Sequence, residues 1–69
     1  MNWINKNNEL PQENETVLIW YPDQEYTPAF PDLVEFINGR FIRNINGGEW
    51  EDDFTNSITY WCRIIKPNK

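Results

Sequence analysis

The chain has 69 residues, eleven Asp and Glu against six Lys and Arg, a net charge of −5, one Cys and no His. That length makes one domain, residues 1–69, with a smaller share of its surface buried than an average domain achieves. The acidic balance argues against docking on nucleic acid through the bulk surface, since Lys and Arg neutralising phosphates supply most of that affinity. A lone Cys excludes an internal disulfide, and the missing imidazoles remove the usual partner of a nucleophilic thiol.

Charge is unevenly placed. All eleven carboxylates fall between Glu9 and Asp53 with only Arg40 and Arg43 among them, so that stretch stands at −9 and the rest of the chain at +4. A basic partner suits such a belt. Four Trp, three Tyr and four Phe supply the means of building a core, each burying on the order of 150–250 Å². "MNWINKNNELP" has neither the basic start nor the apolar stretch of a signal peptide. No apolar run approaches the ~20 residues that span a bilayer, so the expectation is a soluble, intracellular protein with no membrane partner.

The first periodic segment is Thr16 to Tyr21, "TVLIWY", with Val17, Ile19 and Tyr21 on one side and Leu18 and Trp20 on the other. Two apolar faces predict a central strand or one covered on both sides. "PDQEYTPAFPD" reads as an irregular or edge-like excursion rather than a helix, because its prolines lack amide donors. In "LVEFINGRFIRNI", Asn38-Gly39 predicts a two-residue type I′ hairpin, since both positions need positive φ. That register sets Phe36 opposite Phe41 and Val34 opposite Arg43, and a one-residue slip sets Glu35 opposite Arg43 instead. "EWEDDFTNS" has room for a short helical turn. Ser57 to Ile65 alternates, with Ile58, Tyr60, Cys62 and Ile64 on one face and Thr59, Trp61, Arg63 and Ile65 on the other. Cys62 is thereby expected in step with core residues, as a small hydrophobe. The fold class expected is α+β, mainly β: a small antiparallel sheet of three or more strands with a central hairpin and at most one short helix.

Trp3-Ile4 with Leu10-Pro11, then Val17-Leu18-Ile19, Asn38-Gly39-Arg40-Phe41 and Ile58-Thr59-Tyr60-Trp61 occur in an order that resembles the small phage and prophage proteins grouped as domain of unknown function 551. The resemblance covers almost the whole chain. It implies a phage or prophage origin, a β-rich fold and a place in the cytoplasm of the bacterial host, with no assigned activity. Tyr60 stands where that family usually has His, and Arg63 and Ile65 where it usually has prolines, so any role of that His is lost here.

Three chemistries are weighed against the residues. Cys62 lacks a base to lower its pKa, and its neighbour Arg63 points to the other side of a strand. Glu49, Glu51, Asp52 and Asp53 are oxygen ligands in type, but without the spacing of a calcium loop, and they read as a solvated acidic segment. Trp3, Trp20, Trp50 and Trp61 are mostly core or second-face residues, with Trp3 folding over Trp20 and Trp61. Trp50, flanked by acids, is the exposed anchor. No catalytic, cofactor or metal site is expected. The leading expectation is a non-enzymatic interaction module that binds a host or phage protein with a basic surface, in the sharper version as an acidic inhibitor of a host-defence or DNA-binding protein. Its contact residues would be Glu49, Trp50, Glu51, Asp52 and Asp53, and a homodimer would cover leftover apolar surface. The alternative is a small-ligand or sugar binder built on exposed Trp and carboxylates.

Overall fold

The computed structural model describes residues 2–45, 48 and 50–65. Six strands follow in chain order: β1 Ile4–Asn5, β2 Thr16–Tyr21, β3 Phe30–Ile37, β4 Arg40–Ile45, β5 Trp50–Asp53 and β6 Tyr60–Arg63. They form one antiparallel sheet in the order β1-β6-β2-β3-β4-β5. β2 lies inside the sheet, between β6 and β3, with Val17 and Ile19 of "TVLIWY" buried in the core and Trp20 exposed on the other face.

The hairpin forms at Asn38-Gly39, with φ of 52° and 77°, and sets Phe36 opposite Phe41 and Glu35 opposite Ile42. The slipped register is excluded. Arg43 lies opposite Asp52 of β5. Pro31 takes the edge-like alternative, lying within β3 opposite Trp20. It is tolerated there because β4 pairs only with Glu35–Ile37, leaving the outer side of β3 unpaired at that point.

Two expectations are corrected. No helix occurs among the described residues, and "WEDD" is instead a strand. An isolated turn of helix has too few hydrogen bonds to offset its nucleation, whereas β5 gains a ladder against Ile42–Ile45 and sets its acids beside Arg40 and Arg43. The second correction concerns the last strand. Trp61 is fully buried in the core, while Tyr60 and Ile64, on the same side as Cys62, are exposed. Ile58 does reach the core, but from the turn before β6, where strand alternation does not apply.

The core lies on one face of the sheet. Val17, Ile19, Val34, Phe36, Phe41 and Trp61 project from four strands, with Ile4 and Tyr21 packed at the margin. Phe54 and Ile58, from the segment between β5 and β6, close over them. Thr55 ties this segment to two parts of the sheet: its hydroxyl accepts from Phe41 N at 3.0 Å, and its carbonyl accepts from the Lys6 ammonium just beyond β1.

Candidate functional site

With the core packed on one side, the other side of the sheet is open. Leu18 and Trp20 of β2, Leu33 of β3, and Tyr60 and Cys62 of β6 share it through direct cross-strand pairing, Leu18 opposite Leu33 and Cys62, and Trp20 opposite Tyr60. Leu33 is 53% exposed, Tyr60 44% and Trp20 39%. Such a patch is a side of the sheet left without a covering layer.

One part of this face is aromatic. Trp3, which precedes β1, meets Trp20 edge to face, with centroids 5.9 Å apart and planes inclined by 67°. Trp3, Trp20 and Tyr60 line a depression of about 400 Å³. A second, wider groove of about 690 Å³ runs past Leu18, Cys62, Ile64 and Ile65. Because β6 lies between β1 and β2, the Trp3 ring has to cross that strand to reach Trp20. Continuing the β1–β6 register sets Trp3 opposite Cys62, and Cys62 is only 5% exposed. The expected burial of Cys62 is found, but outside the main core cluster.

The acidic segment is arranged differently. Glu49 lies outside the described residues; Trp50, Glu51, Asp52 and Asp53 form β5 at the sheet edge, with Trp50 63% exposed. Strand alternation turns Trp50 and Asp52 to one face and Glu51 and Asp53 to the other. Arg40 sits 3.7 Å from Glu51 and 3.6 Å from Asp53. Arg43 spans Asp32 and Asp52, at 2.8 Å from the latter, with its guanidinium 5.5 Å from the Phe54 ring centre. Hydrogen bonds from the Thr55 hydroxyl and amide, with a smaller contribution from Arg40, hold the Asp53 carboxyl below its usual range. Far along the sheet, Arg63 donates from Nε to Glu15 at 2.6 Å and lies 3.4 Å from Glu9. That hydrogen bond lowers the Glu15 pKa. Carboxyls shifted this way stay charged and hold arginines, which suits ion pairing rather than proton donation.

Among the described residues no three His, Cys, Asp or Glu side chains group as a metal site, and no helix is long and apolar enough to cross a membrane. Of the four tryptophans weighed from the sequence, Trp61 is core, Trp3 and Trp20 join on the open face, and Trp50 stands apart at the β5 edge. Trp3 packs on Trp20 and not on Trp61, which faces the other way. Tyr60 was not singled out with them. Its phase with Trp20 depends on β2 and β6 being neighbours, and no local signal reports that adjacency. No protein-family model, curated protein or solved structure matches this chain.

Proposed function

We propose that the chain is a small non-enzymatic protein-interaction module of phage or prophage origin, whose open sheet face docks a host or phage protein with a basic surface. One observation carries this reading: Trp3, Trp20, Leu33 and Tyr60 stay exposed together on the side of the sheet away from the core cluster. Aromatic side chains presented on a rigid strand framework supply the contact area that dominates protein interfaces. The net charge of −5 selects the sign of the partner.

The acidic-inhibitor version draws less support from the geometry, because the β5 carboxylates are divided between two faces and several are already held by arginines. The sugar-binding alternative rests on the same depression as the leading reading. Among the described residues its lining offers two indole N–H groups and one phenol for side-chain hydrogen bonding, few for a polyhydroxylated ligand.

The test is retention of host proteins on the immobilised wild-type chain, on Trp20→Ala/Leu33→Ser, and on Trp50→Ala/Glu51→Gln. The expected result is a basic protein held by wild type and by the β5 variant but lost with the face variant. Identical sets on all three supports would overturn the reading.

A further inference from the structure

We infer that the depression between Trp3, Trp20 and Tyr60 receives the guanidinium group of an arginine on the basic protein partner, an assignment that rests on the interaction reading above. Two indole planes inclined by 67° form a corner, and Tyr60, directly opposite Trp20 across β2 and β6, supplies a third aromatic wall. The faces of such rings carry the negative part of the quadrupole, so a corner of this kind attracts a cation. A planar, weakly hydrated guanidinium stacks on such walls better than a compact, strongly hydrated ammonium.

The chain uses this contact twice within itself. Arg43 lies 5.5 Å from the Phe54 ring centre and Arg63 5.0 Å from that of Trp61. Neither arginine is available to fill the depression, since Arg43 is held by Asp32 and Asp52 and Arg63 by Glu9 and Glu15. Arg40 is beside Glu51 and Asp53 at the far edge, and the Lys6 ammonium donates to the Thr55 carbonyl. The chain leaving Trp20 continues through Asp23 and Glu25, which form no ion pair with another described residue. Charge complementarity thus points to a cationic occupant and not to a second copy of this acidic chain.

The experiment titrates the full chain with a blocked nine-residue peptide that has a central Arg between lysines. The probes are the indole N–H signals of Trp3, Trp20 and Trp61. The expected result is a saturable shift of the Trp3 and Trp20 signals with Trp61 unmoved. Replacing the central Arg by Lys or by neutral citrulline, or introducing Trp20→Ala, should weaken binding by about two- to fivefold, the size of one exposed cation–π contact. The Trp61 signal, from an indole N–H bonded to the Glu9 carbonyl, reports that the variant is folded. Equal affinity of the Arg and Lys peptides with no effect of Trp20→Ala would overturn the assignment, as would Trp3 and Trp20 signals that move with protein concentration alone. Shifts confined to backbone amides elsewhere would sink the arginine pocket and leave the interaction reading standing. Silence towards every basic peptide, joined to identical retained sets in the experiment above, would remove both.

Discussion

Trp61 and Cys62 are chain neighbours with opposite surroundings, and the difference is one of sheet face. Trp61 has no exposed surface and its Nε1–H donates to the Glu9 carbonyl at 2.9 Å, tying the segment ahead of β2 onto the core. Trp61→Ala should therefore cost about 3–5 kcal/mol, most of the stability of roughly 3–10 kcal/mol that a domain of this length commands. Trp61→Phe keeps a ring and loses the hydrogen bond, so its cost should be smaller; urea titrations of the pair check the ranking. Cys62 faces the opposite side, where Trp3 is its cross-strand neighbour by the β1–β6 register and is expected to shield it. Alkylation of the native thiol at neutral pH should be slow and should accelerate in Trp3→Ala, while the urea midpoint changes less than in Trp61→Ala. A thiol that reacts at the unfolded rate in the wild-type chain would disprove the shielding.

At the scale of elements, the β3–β4 hairpin was the part most open to reading from local sequence, because turn chemistry acts within two residues. Asn38 and Gly39 adopt the positive φ that the turn requires. A Cβ added to Gly39 meets nothing within 4 Å, so Gly39→Ala should cost only the backbone strain of the left-handed region, about 1–2 kcal/mol. A larger loss of stability in urea would mean that the glycine makes room for a neighbour after all. The β5 segment leaves room for a helical turn in local sequence for the complementary reason. Its three acids are poor strand formers, and Arg40 and Arg43 on β4 meet them across the pair. Its outer edge carries Glu51, Asp52 and Asp53, charges of the kind that deter further strand addition.

For the molecule as a whole, charge both staples the sheet and limits its stability in acid. Glu15 is bound to Arg63 across a sequence separation of 48, and this hydrogen bond lowers its pKa from the ordinary 4.5. Asp53 is lowered likewise from 3.8, chiefly by Thr55. A depressed carboxyl pKa means that the unfolded chain binds protons more readily. The contribution of Glu15 is therefore complete above about pH 4.5 and is lost as pH falls through its native value. Glu15→Gln should flatten the decline of the urea midpoint between about pH 5 and pH 2, while leaving the curve above that range nearly level. An unchanged acid limb would show that the pair contributes nothing. The open face acts at this scale too: Trp20→Ala/Leu33→Ser should raise solubility at high protein concentration with little loss of stability, because half-exposed residues gain little from the core.

Turn, alternation and aromatic content were written locally: Asn38-Gly39 specifies a hairpin, "TVLIWY" an interior strand, and eleven aromatic residues a core from a short chain. Which aromatic residue stays outside was not. Trp20, Tyr60 and Trp61 all sit in strands of suitable composition, and only the pairing of β2 with β6, distant in sequence, turns Trp61 inward and lines up Trp20 with Tyr60 beside Trp3. Local propensity acts within a few residues and determines elements. Strand order is set by long-range burial competing with chain entropy, and it was this that divided the sheet into a packed side and an open one.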